Sequence, residues 1–161
     1  MKIYILSLVF CFLTLFSFAQ SSIAVGDGNQ SMPKFRFYTM SGVEVNDTDL
    51  KFVDNCIMIM YNPTCEHCVA GAKKILDNWD RFKNIKIYWI SQSPKFKIKE
   101  FRDYYFDGKP NCVFLHDTER MMYDNFDIPE LPRAFVYNQN KILLGSLNCL
   151  YPTDSFQFFK P

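Results

Sequence analysis

The run Cys56-Ile57-Met58-Ile59-Met60-Tyr61 is uncharged and apolar throughout, and it leads through Asn62-Pro63-Thr64 into Cys65-Glu66-His67-Cys68. A short continuous apolar run bounded by turn residues fits a strand buried on both faces, at the centre of a sheet with layers on either side. Beyond the cysteines, Val69, Ala72, Ile75, Leu76, Trp79 and Phe82 recur at helical spacing, with Lys73, Lys74, Asp77 and Asp80 off the stripe. That pattern predicts one helix over 69–82. Two cysteines separated by two residues at such a strand-to-helix turn can bring their sulfurs together at i and i+3. This is a redox-site arrangement, and the chemistry it implies is thiol–disulfide exchange.

The elements around this turn continue the same architecture. Phe35, Phe37, Val43 and Val45 alternate about Ser41-Gly42, which predicts a β-hairpin at the start of the domain. The polar stretch from Asn46 to Asn55 is expected to be a loop or a short helical turn. A second buried strand is expected over Ile85–Ile90, followed by a helix with Ser93 as cap and Pro94 at its first position. Ile98, Phe101 and Tyr105 share one face of that helix, which Gly108-Lys109-Pro110 ends, and Lys95, Lys97 and Lys99 mark a solvated face. Cys112–His116 is a strand candidate and Met121–Phe126 a short helix. Ala134–Tyr137 and Ile142–Leu144 flank Asn138-Gln139-Asn140-Lys141 as a second hairpin, with a short terminal helix over Tyr151–Phe159. The order predicts an α/β fold, a central mixed sheet with helices on its faces.

Length and composition agree with one globular domain: 161 residues, 48% hydrophobic, 22% charged, net charge +1. Near-neutral charge offers nothing to nucleic acid. The abundant Phe and Tyr fall in element patterns and are expected in the core. Lys2, an apolar run from Ile3 to Phe18, and small residues at Ser17 and Ala19 make residues 1–19 a secretory signal peptide by its parts, with a linker over 20–31 and the domain over 32–161. The alternative is an uncleaved anchor, since the run approaches spanning length; membrane contact is expected only in that case. Either way the domain is expected outside the cytosol, in the periplasm, where disulfides persist. Setting Cys11 aside from the six cysteines leaves Cys56, Cys65, Cys68, Cys112 and Cys149, an odd number. If Cys65 and Cys68 cycle together, the other three are buried small hydrophobes, or two of them form a further disulfide.

With these residues in place the chain resembles the thioredoxin-like fold, and within it the exported TlpA/ResA-like thiol-disulfide oxidoreductases. The likeness runs from Met32 to Leu144: Pro33-Lys34-Phe35 with Gly42, the strand into Cys-x-x-Cys, and Leu131-Pro132 ahead of the last hairpin. The strand at 112–117 and helix at 121–126 stand where that group inserts a strand and helix before its proline. The resemblance implies that Pro132 is cis and packs on the reactive sulfurs, with Thr64, Leu131 and Pro132 receiving substrate. It also implies protein thiols and disulfides as substrates, a redox partner protein that recharges the site, and no cofactor or metal beyond a Cys65–Cys68 disulfide. Three positions depart from the pattern: Ile59 where thioredoxins keep a buried acid, Thr64 in place of the usual Trp, and Arg133 after the proline.

In this scheme Cys65 attacks, Cys68 resolves the mixed disulfide, and His67 and Glu66 tune the pair. A helix start favours an adjacent thiolate by about 0.3–1 kcal/mol, against about 1.4 kcal/mol per pKa unit. The dipole therefore needs help, and a protonated His67 is the nearest source. Glu66 opposes the thiolate by charge, and serves as the missing acid/base group by analogy with the Cys-Glu-Pro-Cys of ResA-like proteins. His67 leans toward oxidation and the resemblance toward reduction. His116 lies outside any motif and is expected at the surface. A peroxiredoxin would need Thr or Ser where Asn62 stands. A metal-binding module on Cys65 and Cys68, and an interaction module whose cysteines do not turn over, are the alternatives from other classes.

Overall fold

Continuous apolar runs build the inner strands of this protein, and alternating ones its rim. The structure, a computed structural model, describes residues 23–25 and 29–148. The leader expected over 1–19, Cys149 and the helix expected over Tyr151–Phe159 lie outside the described residues. In chain order the elements are β1 (Ile23–Val25), β2 (Arg36–Thr39), β3 (Glu44–Asn46), β4 (Cys56–Met60), α1 (Glu66–Asp77), α2 (Trp79–Phe82), β5 (Lys86–Ser91), α3 (Lys95–Tyr105), β6 (Cys112–His116), α4 (Met121–Asn125), β7 (Arg133–Tyr137) and β8 (Leu143–Asn148). These strands form one sheet in the order β1-β8-β7-β4-β5-β6-β2-β3. The steps β4–β5 and β5–β6 are parallel and the others antiparallel, so the sheet is mixed. Among the described residues no helix is long and apolar enough to cross a membrane.

Both parallel steps move the same way across the sheet, so their right-handed crossovers place α1 and α3 on one face. Ile57, Ile59 and Tyr61 point to that face and meet Cys68, Ala72 and Ile75 of α1 and Ile98 and Phe101 of α3. Met58 and Met60, alternating with them, point to the other face and meet Phe35, Phe37, Met122 and Phe126. This is why β4 is apolar at every position: all five of its residues are buried. The opening hairpin β2–β3 turns at Gly42, whose φ of 91° lies in the left-handed region that glycine tolerates.

Several local expectations shift. The predicted 69–82 helix is two pieces: α1 begins at Glu66, and the path breaks at Asn78, whose side-chain Nδ2 donates to the Lys74 carbonyl at 2.9 Å. The apolar stripe survives the break, since Trp79 and Phe82 still reach the α1-side core. Pro94, not Ser93, is the N-cap of α3, because the Ser93 hydroxyl is drawn toward Asn62 Oδ1 at 3.5 Å instead. β8 runs past Leu144 to Asn148, and Ile23–Val25, within the stretch expected to be a linker, pairs with its outer edge.

Candidate active site

Three segments converge at the carboxyl end of β4: the turn after it, the start of α1, and the segment before β7. Asn62 shapes the turn. Its side-chain oxygen accepts from Thr64 N at 3.0 Å and from Thr64 Oγ1 at 2.9 Å, while its carbonyl accepts from Cys65 N at 3.1 Å. An Asn closing its own turn two residues on is ordinary Asx-turn chemistry, and the Asn-Pro-Thr sequence could have revealed it. Cys65 then becomes the N-cap of α1, with extended backbone and no side-chain capping bond. Its sulfur sits where the orphan N–H groups and the positive end of the helix lie.

Cys65 is half-buried, and Cys68, one turn on, is fully buried. The Asn62 N–H donates to Cys68 Sγ at 3.4 Å, so the turn that positions the first cysteine also holds the second. The Leu131–Pro132 peptide bond is cis. Antiparallel pairing of Met60 with Arg133 brings this segment beside the turn, and Cys65 Sγ contacts the Leu131 carbonyl at 3.9 Å. Pro132 is buried, Leu131 partly exposed, and Thr64 exposed. Of the residues singled out from sequence, Cys65 and Leu131 are in contact, Pro132 follows Leu131 through the cis bond, and Cys68 lies one helical turn from Cys65. Glu66 and His67 are exposed on the first turn of α1, and among the described residues neither enters an ion pair.

The departures have structural counterparts. Ile59 is fully buried in an apolar cluster shared with Cys68, so no acid stands beneath the cysteines from this position. Tyr61, also on that face, packs edge-on to Trp89 at 5.2 Å, and its hydroxyl is buried without a partner. Burial first, then the nearness of Cys68, hold its pKa far above the ordinary tyrosine value. Arg133 turns away from the site: it donates to Ser146 Oγ at 2.7 Å and to Asn148 on β8, and burial lowers its pKa.

His116, expected at the surface, is partly buried at the end of β6, with Nδ1 shielded and unpartnered. Pairing with Tyr38 on one side and Ser91 on the other encloses it. Nearby, Asp117 is buried and accepts from Met121 N and Met122 N at 3.0 Å each and from Gln92 Nε2 at 3.2 Å. Cys56 and Cys112 lie at the opposite end of the sheet, and burial pushes both thiols up to about 12. Among the described residues no three His, Cys, Asp or Glu side chains gather as a metal-binding group.

No protein-family model matches the sequence, and none of the curated proteins is similar to it. Solved structures share its fold at low identity. A thioredoxin-like protein from Aeropyrum pernix superimposes with TM-score 0.65 at 12% identity, covering 78% of this chain and 87% of its own. A thiol peroxidase from Chromobacterium violaceum matches with TM-score 0.65 at 11% identity, covering 83% and 87%. A secreted Mycobacterium tuberculosis disulfide oxidoreductase homologous to E. coli DsbE matches with TM-score 0.58 at 17% identity, covering 71% and 83%. The chain has a thioredoxin-like fold.

Proposed function

We propose that this protein is a thiol-disulfide oxidoreductase acting through Cys65 and Cys68 on protein thiols and disulfides outside the cytosol. One observation carries the proposal: Cys65, only half-buried, stands at the uncapped start of α1 with its Sγ 3.9 Å from the Leu131 carbonyl ahead of cis-Pro132, and Cys68, one turn on, is fully buried. An accessible sulfur backed by a buried one suits attack followed by resolution. In the reducing direction the Cys65 thiolate attacks one sulfur of a substrate disulfide. The second substrate sulfur leaves as thiolate and takes a proton from solvent. Cys68, losing its proton, then attacks Cys65 Sγ and releases the first substrate sulfur. Two electrons pass from the protein dithiol to the substrate, and a partner dithiol restores the site; no cofactor is needed. The reverse sequence oxidises substrate thiols.

Glu66 and His67 flank the nucleophile from solvent and are assigned the tuning of its reactivity. The leader features at 1–19 support export, most simply to the periplasm. The fold shared with a secreted disulfide oxidoreductase supports the chemistry. The test is reduction of insulin disulfides with dithiothreitol as electron source. Cys65→Ser is expected to abolish turnover, and Cys68→Ser to accumulate a substrate mixed disulfide on Cys65. Full activity in Cys65→Ser would overturn the assignment.

A further inference from the structure

Beside the cysteines, a groove of about 380 Å³ opens between the start of α1 and α3, lined by Pro63, Thr64, Val69, Phe101, Tyr104 and Tyr105, with Lys97 and Glu100 also at its walls. We infer that it seats the polypeptide segment flanking the substrate cysteine that Cys65 attacks, and that it selects segments bearing an aliphatic or aromatic side chain there. The inference rests on the oxidoreductase assignment and adds a substrate class to it.

The groove begins at the turn that carries the nucleophile. Thr64 is the covalent neighbour of Cys65, the Val69 N–H donates to the Cys65 carbonyl at 3.0 Å, and both Thr64 and Val69 line the groove with Phe101 and Tyr105 of α3. It therefore runs from the residues on either side of Cys65 across to α3. An extended chain advances about 3.3 Å per residue, so residues a few positions from the substrate cysteine lie over it. At its far wall Tyr104 is 81% exposed and stacks edge-on against Tyr105 at 4.7 Å. Phe96, two helical turns before Tyr104 on α3, is 60% exposed. Aromatic side chains left in water on the helix that walls the groove mark a contact surface, since such groups dominate polypeptide recognition. The volume lies within the range of about 300–1,000 Å³ for small-ligand pockets, so it admits side chains and not a folded domain. Lys97 and Glu100 supply a donor and an acceptor for the backbone groups of a bound extended chain, which cannot be left unpaired.

The experiment compares three disulfide probes with dithiothreitol-reduced protein. Two are short peptides whose cysteine is joined to thionitrobenzoate, identical except for Leu or Asp three residues from that cysteine. The third is Ellman's reagent, which has no flanking chain. Cys65 attacks the peptide sulfur and thionitrobenzoate leaves; Cys68 then displaces the peptide thiol and the protein ends oxidised. The wild-type protein is expected to react about tenfold faster with the Leu peptide, about 1.4 kcal/mol in transition-state binding, and Tyr104→Ser to bring the two peptides to near equality. Lys97→Ala is expected to slow both peptides relative to Ellman's reagent. Equal rates for the two peptides in the wild type, or a preference untouched by Tyr104→Ser, would overturn the inference. So would a dimer by sedimentation that Tyr104→Ser dissociates, since the groove would then be filled by a second copy. Failure of Cys65 to react with any of the probes, Ellman's reagent included, would instead defeat the oxidoreductase assignment, and the groove's role with it.

Discussion

The cysteines of this protein differ by where the sheet puts them. Cys65 ends a turn at the carboxyl edge and is half-buried, while Cys56, fully buried, and Cys112, half-buried, begin strands at the other edge, where desolvation raises each to about 12. At pH 8 a thiol of that pKa is about one part in ten thousand thiolate. Iodoacetamide on the native reduced protein is therefore expected to label Cys65 while leaving the fully buried Cys56 unmodified, with Cys112 slowed by its raised pKa, as peptide mass mapping would show; rapid labelling of Cys56 would contradict its burial. His116 offers a second residue-scale test. Burial and, after it, Lys95 hold its pKa below the ordinary 6.5, against the opposing pull of Asp117 and the Gln92 backbone. The fold thus favours neutral imidazole, while the unfolded chain takes up a proton near 6.5. A depressed folded pKa contributes stability that is intact above the unfolded value and is lost as pH falls through the folded one. The stability advantage of wild type over His116→Gln, read as urea midpoints, is expected to shrink between pH 7 and pH 5. A pH-independent difference would refute the shift.

At the scale of elements, the site is held by short polar connections more than by regular structure. Asn62 closes the turn before Cys65, and Asp117 fastens the start of α4 to the loop after β5. Asp117→Ala strips partners from two backbone N–H groups and the Gln92 amide. Each buried polar group left unpaired costs about 1–3 kcal/mol, so a loss of at least that size is expected in chemical denaturation; a change below about 0.5 kcal/mol would mean that α4 does not depend on this cap. These connections are where sequence patterning fell short. The 69–82 stripe identified the right buried face, yet Asn78 interrupts the helix by bonding the Lys74 carbonyl. Ser93-Pro94 looked like cap and first turn, yet Ser93 is pulled to Asn62, a residue distant in sequence. Periodicity reports which face is buried, and it carries no information about which side chain will compete for a backbone group.

For the whole molecule, β4 and β5 lie between two apolar layers, and Trp89 fills the α1-side layer among Tyr61, Phe101, Phe106 and Phe114. It is fully buried. Trp89→Ala is expected to cost about 3–5 kcal/mol, by urea denaturation. Because both layers share the same strands, transitions followed by tryptophan fluorescence and by far-ultraviolet circular dichroism should coincide. Separated midpoints would show that the layers unfold independently.

Local patterns in the chain were enough for the architecture: an apolar strand entering Cys65-Glu66-His67-Cys68, a helix leaving it, and Leu131-Pro132 before the closing hairpin. They are set by burial period and turn residues within a few positions. Tertiary structure decided what depends on residues far apart in the chain. It turned Arg133 onto β8, enclosed His116 between β2 and β5, and laid α3 beside the start of α1 to form a groove lined by Phe101, Tyr104 and Tyr105. Each of these follows from strand order and crossover hand, through which neighbours in space are chosen by the sheet and not by the adjacent residues.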